Sequence, residues 1–338
     1  MKTRMMLAGV MIVAGATAAD AQCPSGNVQD ACQKATDLLR FMTPQLSTAL
    51  AGGNPTLGQG GVLGGLGHFS LDIRASGVSG TLPKLDNISP PLTAGSARAS
   101  TFTSNDKIIP FPSLDLGVGL WKGVSLGVTH VGGIDGLVTA TIVPDFALSR
   151  INSGGGSSAL KTTLNGSSTQ LGFGFRVGLL EEGALWPGAS FVWAQRSLPS
   201  LSVNGTIPAS GLIPASDLNP GGTLALNDFT VKTSVWRITA AKNLLILNIS
   251  AGFGQDKYDA SSTVSATVNG SQPVTVSTPF SMTRTNYFVG AAINLFLFKV
   301  EGEYGQVSGG TVPTLLNNFG SDPNGSRSYF TLGLRFGL

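Results

Sequence analysis

Residues 329 to 338 read Tyr-Phe-Thr-Leu-Gly-Leu-Arg-Phe-Gly-Leu. Phe330, Leu332, Leu334, Phe336 and Leu338 are large and apolar, whereas Tyr329, Thr331, Gly333, Arg335 and Gly337 are polar or small. A period of two held over ten residues marks a β-strand with one apolar face. The pattern returns upstream. Leu171, Phe173, Phe175, Val177 and Leu179 alternate with Gly172, Gly174, Arg176 and Gly178. Leu114, Leu116, Val118 and Leu120 alternate with Asp115, Gly117 and Gly119, and Leu245, Leu247, Ile249, Ala251 and Phe253 do so less cleanly. Opposite each apolar face stand glycines and charges, not a second apolar core.

Composition agrees. Charged residues are 12% of the chain, about half the ~25% of globular proteins, and glycine fills 46 of 338 positions, about twice its usual share. The long apolar run is at the start, Met5 to Gly15, behind Lys2 and Arg4 and ahead of the small-residue site Ala19-Asp20-Ala21. It predicts a secretory signal peptide over 1–21, too short for a spanning helix. Beyond residue 22 no stretch has 18 uninterrupted apolar residues, so helical spans are not expected. Cys23 and Cys32, nine apart in an exported chain, predict a disulfide. Two cysteines and two distant histidines do not make a zinc site, and no cofactor or metal is expected. A formal charge of +3 points to no nucleic-acid partner.

Residues 27 to 51 predict a helix: Val28, Ala31, Ala35, Leu38, Leu39, Met42, Leu46 and Leu50 recur at three-to-four spacing, with Pro44 interrupting. After Gly52-Gly53-Asn54-Pro55 the style changes to alternating strands. Their connections sort into short links, near Trp121, Trp186, Lys242 and Phe296, and long Ser/Gly/Asn/Thr-rich ones over 79–110, 150–168, 199–223, 259–281 and 308–326. Short and long alternating is the pattern of a transmembrane β-barrel, with tight periplasmic turns and extended external loops. Trp121, Trp186, Phe296 and Phe298 at the short links suit an aromatic girdle at the headgroup level. From Val124 to Ile142 the even-numbered apolar phase persists across Gly132-Gly133, which predicts one long kinked strand. The count is then about ten, within a range of 8 to 14.

Thr331-x-Gly333-x-x-Phe336-x-Leu338 resembles the C-terminal β-signal of bacterial outer-membrane proteins, with Leu338 standing where Phe or Trp is usual. The resemblance implies recognition by the barrel-assembly machinery of Gram-negative bacteria, a place in outer-membrane lipid, and a last strand that pairs with the first. Gly53-Asn54-Pro55 faintly resembles the Asn-Pro element of the fatty-acid channel family, which would make 22–61 a plug; a periplasmic cap is the alternative.

Chemistry is sparse. His68-Phe69-Ser70 is similar in residue type to the His and Ser of outer-membrane lipases and deacylases, and His130 falls on the apolar phase of its strand, high near the interface. Asp115, Arg176, Asp256, Lys299, Glu301, Glu303 and Arg335 fall on lumen-facing positions, with Glu301 and Arg335 expected side by side. They are either a salt-bridged filling or a constriction that selects solutes. At about ten strands a barrel lies between a packed interior and a channel. The expectation is an all-β, closed antiparallel porin-like barrel over 62–338, with a periplasmic helical segment over 22–61. As a function, it is a non-enzymatic narrow channel for small or hydrophobic solutes. The alternatives are a structural or adhesion barrel working through its loops, and a membrane-embedded lipid hydrolase.

Overall fold

The computed structural model describes residues 23–26, 28–83, 97–127, 129–145, 148–149, 160–207, 221–268, 273–296 and 298–337. The expected signal peptide, Leu338 and parts of the long links lie outside these. A helix, α1 (Gln29–Ala51), leads to β1 (Phe69–Pro83), β2 (Ser104–Trp121), β3 (Val124–Leu126), β4 (Thr129–Val131) and β5 (Ile134–Ile142). Then come β6 (Leu160–Leu164), β7 (Thr169–Leu180), β8 (Gly188–Ser197), β9 (Leu201–Ile207) and β10 (Gly222–Leu244). The chain finishes with β11 (Leu247–Val268), β12 (Val274–Ser277), β13 (Phe280–Leu295), β14 (Phe298–Ser308) and β15 (Arg327–Gly337).

Ten of these strands close a ring in the order β1, β2, β5, β7, β8, β10, β11, β13, β14, β15, all neighbours antiparallel. The seam runs from Ser70 opposite Gly337 to Val78 opposite Tyr329. β15 therefore pairs on both sides, and among the described residues the ring leaves no backbone edge to lipid, as a spanning sheet requires. The alternation at the chain's end is that seam.

Side chains sort as the period-two pattern predicts. Leu332, Val289, Phe253, Phe173 and Ile73 are exposed outward, while Thr331, Arg335, Asp256, Arg176 and Asp72 are buried inward. Trp121, Phe296 and Phe298 are exposed at the short-turn end, and half-buried Trp186 donates its indole N–H to the Glu181 carbonyl at 3.1 Å. A second aromatic belt, Phe173, Trp193, Trp236, Phe253, Tyr287 and Tyr304, crosses the strands higher up. Tyr287 lies nine residues from Phe296. At ~3.3 Å per residue and a ~40° tilt the belts stand about 23 Å apart, close to the ~25 Å apolar band of such barrels. Beyond the upper belt the outward positions turn polar, with Lys257 paired to Asp259.

Three expectations need correction. Val124 to Ile142 is not one strand: β3 and β4 form a small separate hairpin at the short-turn end, and β5 alone joins the ring. Gly123, Gly127 and Gly132 turn at positive φ (91°, 69° and 79°). Phase counting missed the reversal because the apolar positions keep the same parity on either side of it. The links at 79–110, 199–223 and 259–281 are in part strand: β1 reaches Pro83 and β2 starts at Ser104, β9 takes Leu201–Ile207, and β11 runs to Val268 beside β12. Ser- and Thr-rich sequence reads as loop unless its alternation is followed outward. Finally, α1 is not on the periplasmic side. Cys23, Val28, Ala31 and Ala35 pack with Leu224, Leu226, Val264 and Ala266, at the ends of β10 and β11 farthest from their short turn. The Cys23–Cys32 disulfide is present there. Pro44 sits inside α1 without ending it; extensive burial of the helix offsets a proline cost of about 3 kcal/mol.

Leu332→Arg places a cation in the middle of the lipid-facing band. Guanidinium titration of refolded protein in micelles is expected to show a loss of about 2–4 kcal/mol, whereas Lys257→Arg above the upper belt leaves the midpoint unchanged.

Candidate functional site

The lumen is lined by charge. Every ring strand contributes at least one buried ionisable side chain, and together they comprise six arginines (74, 176, 196, 237, 284, 335) and six carboxylates (Asp72, Asp115, Asp135, Asp256, Glu301, Glu303). Most pair across neighbouring strands. Arg176 Nη2 lies 2.6 Å from Asp135, Arg74 Nε 2.7 Å from Asp115, and Arg335 Nη2 2.8 Å from Asp72 and 3.0 Å from Glu301. Asp115, Arg176, Glu301, Glu303 and Arg335 thus all point inward as expected, and Glu301 meets Arg335. They are spread along the lumen instead of forming one ring. Lys299 is half-buried at the inner mouth, beside Arg335 in the register.

What fills the space between them is α1 and the segment after it. The helix ends by aiming its last carbonyls at arginines from three strands. Arg237 Nη2 donates to the Ala51 carbonyl at 2.7 Å, Arg196 Nη1 to those of Leu50 and Ala51 at 3.3 Å, and Arg74 Nη1 to that of Gly53 at 2.8 Å. Ser76 Oγ donates to the Gly52 carbonyl at 3.1 Å. Helix carbonyl ends carry partial negative charge and lack intrahelical donors, so guanidinium groups are matched partners. Gly53 turns at φ 75°, and a Cβ there would lie 2.7 Å from both Arg74 Nη1 and Thr331 Oγ1, so only glycine fits.

The next residues descend the wall. Asn54 donates its backbone N–H to Glu303 at 3.2 Å and its amide to Thr239 Oγ1 at 2.8 Å. Gln59 Oε1 accepts from Arg176 Nη1 at 2.6 Å, and the Leu63 N–H reaches Asp135 at 3.1 Å. Gly60 passes so close that a Cβ would lie 2.5 Å from the Gly188 carbonyl. Thr331 and Gly333 of the terminal motif face this plug: Ser76 and Thr331 hydroxyls bond at 2.9 Å, and Gly333 leaves room for Leu57. Phe336 faces outward against Phe298 with ring centroids 6.0 Å apart.

Higher up, Gln45 exchanges two hydrogen bonds with the Thr81 backbone. Asp37 accepts from the N–H groups of Leu316 and Asn317, and Phe319 stacks between Phe41 and Phe102 at 5.0 Å from each. Beside these contacts α1 leaves a cavity. Leu38, Leu39, Met42 and Leu46 form its inner side; Leu82, Pro83, Leu201, Val203, Leu226 and Phe229 form the outer side, and among the described residues Thr162 is the polar one that lines it. The room open to the centre of a water molecule is about 100 Å³.

The histidines go elsewhere. His68 Nδ1 faces the Gly65 carbonyl at 3.3 Å, and His130 pairs with Glu181 on the β4 hairpin, not high on a strand. Among the described residues neither imidazole has a serine hydroxyl as hydrogen-bond partner. Sequence reasoning missed Arg74, Arg196, Arg237 and Asp135. Their signal was present, since each falls on the lumen-facing phase of its strand, but nothing in one strand names the partner across the cavity.

No protein-family model matches the chain, and no curated protein matches it. Among solved structures, the outer membrane protease OmpT from Escherichia coli overlaps at TM-score 0.39 and 10% identity, covering 80% of this chain and 97% of that one. The Pseudomonas putida toluene transporter TodX overlaps at 0.29 and 9% identity, covering 86% and 93%. Ail, the attachment invasion locus protein of Yersinia pestis, overlaps at 0.28 and 9% identity, covering 81% and 99%. Overlaps of this size assign no activity. The closed ten-strand sheet, its apolar band and its two aromatic belts make the chain an outer-membrane β-barrel.

Arg237→Gln leaves the Ala51 carbonyl, Asp256 and Glu303 short of their cation. Removing one member of such a buried set costs about 3–5 kcal/mol. Hydrogen exchange of amides 45–53 in micelles is expected to speed up by more than about tenfold while that of the β13–β14 pairing stays slow.

Proposed function

We propose that this barrel passes small apolar solutes across the outer membrane along a route that starts in the apolar cavity beside α1 and continues past a displaceable plug. The observation that carries the reading is the cavity itself. Ten of its eleven described lining side chains are apolar, and it lies at the external end, a make-up that suits a small apolar solute. A second observation supports a moving plug. Residues 52–65 are held to the wall mainly by hydrogen bonds to side chains, not by strand pairing, so local release leaves the ring intact.

The fully occupied lumen favours the second reading, a closed structural or adhesion barrel that works through its outer surface. The two separate by measurement. For passage, uptake of 1-N-phenylnaphthylamine into vesicles carrying the refolded protein is expected to exceed that of empty vesicles, and Leu39→Arg, which puts a cation into the cavity, is expected to abolish the excess. An uptake equal to that of empty vesicles overturns the channel reading. Planar-bilayer recording gives an independent check: removal of residues 29–61 is expected to produce stable unitary steps where the intact chain gives none.

A further inference from the structure

The inner mouth holds a second cavity of different character. Its room for water-molecule centres is about 370 Å³, and among the described residues Lys299 and Arg335 are the charged ones that line it. Apolar contacts come from Leu63, Phe69, Leu295 and Phe298, with Gln59 and Ser70 as neutral polar neighbours. We infer that this cavity is an anion subsite, built for a carboxylate carried on a small apolar body.

The first argument is electrostatic. Lys299 and Arg335 are direct cross-strand partners on β14 and β15, both on the lumen face. Like charges directly opposite one another destabilise a sheet unless an anion lies between them. Asp72 and Glu301 neutralise one side of the Arg335 guanidinium, at 2.8 and 3.0 Å from Nη2. Neither carboxylate lines the cavity. Lys299 is left over: half-buried, it has no ion pair or hydrogen bond among the described residues.

The second argument is an unmet donor. Arg335 is 2% exposed, and its Nη1 has no hydrogen-bond partner among the described residues. A buried guanidinium donor without an acceptor is costly, and a carboxylate between Nη1 and the Lys299 ammonium satisfies both at once. Val62 and Leu63 of the plug meet the apolar body from the lumen side, and Phe69 and Leu295 stand at the rim, a make-up usual for a small-ligand site. The inference draws on the passage reading only for how the solute arrives; equilibrium binding tests it without any transport.

Intact protein in dodecyl maltoside is titrated with benzoate and, separately, with benzyl alcohol, by saturation-transfer NMR. Benzoate is expected to bind more tightly than the alcohol and to weaken as salt rises. Lys299→Met is expected to cost benzoate about tenfold in affinity and the alcohol nothing, with Lys299→Arg restoring it; folding is confirmed by the mobility shift of unheated protein. Inorganic phosphate competing as well as benzoate itself means that charge alone is read, which overturns the fit to an apolar body. Benzoate binding no better than the alcohol, or equal in wild type, Lys299→Met and Lys299→Gln, overturns it. So does its loss in nanodiscs containing phosphatidylglycerol but not in neutral ones, because the anion held there is then a lipid headgroup. A channel that takes up apolar probes while failing these titrations keeps its passage role and loses only the subsite.

Discussion

The meeting of the α1 carbonyl end with Arg74, Arg196 and Arg237 is the contact on which the rest depends. A guanidinium inside a barrel filled with protein has lost its water, and each of its five donors needs an acceptor or a counter-charge. The wall supplies six carboxylates for six arginines, yet among the described residues Arg196 and Arg284 have none of them as an ion-pair partner. For Arg196 the helix end takes their place: its acceptors are the carbonyls at Leu50, Ala51 and Gly53. The helix in turn would end with bare carbonyls in a dry lumen without these arginines. Barrel and plug therefore complete one another's polar chemistry, and neither half is satisfied alone.

Much of the wall was legible in the sequence. Period-two alternation over Leu171–Leu179 and Phe330–Phe336 fixed which side chains face lipid, and a two-residue period leaves no choice of face once one position is set. The Glu301–Arg335 contact followed from pairing the last two strands across the long link at 308–326. Other features needed three dimensions. The β3–β4 hairpin hid behind unchanged parity, and the upper aromatic belt is assembled from Phe173, Trp193, Trp236 and Tyr287, which lie too far apart in the chain to be read together.

The site was the least legible part. The apolar spacing in α1 predicts a helix with a buried stripe, but not what that stripe covers. Leu38, Leu39 and Leu46 both join core clusters and line the cavity, whereas Ala31 and Ala35 only pack, and nothing in the apolar spacing tells the two kinds apart. Gly53-Asn54-Pro55 was noticeable for composition; its work as the point where helix carbonyls, Glu303 and Thr239 converge depends on strands nearly two hundred residues or more away. Long separation in sequence, not weak chemistry, kept the site hidden.

The path of the chain has a consequence for how it is made. Cys23 stands at the external end, Gly53 deep within, and Phe69 at the inner rim, so the amino-terminal segment runs the length of its own cylinder before the first strand begins. A helix about 10–12 Å across cannot slip sideways through a wall already knitted shut. The stitching of β1 to β15 is thus the natural last act of biogenesis: the cork is laid on an open sheet, and the sheet is then rolled around it.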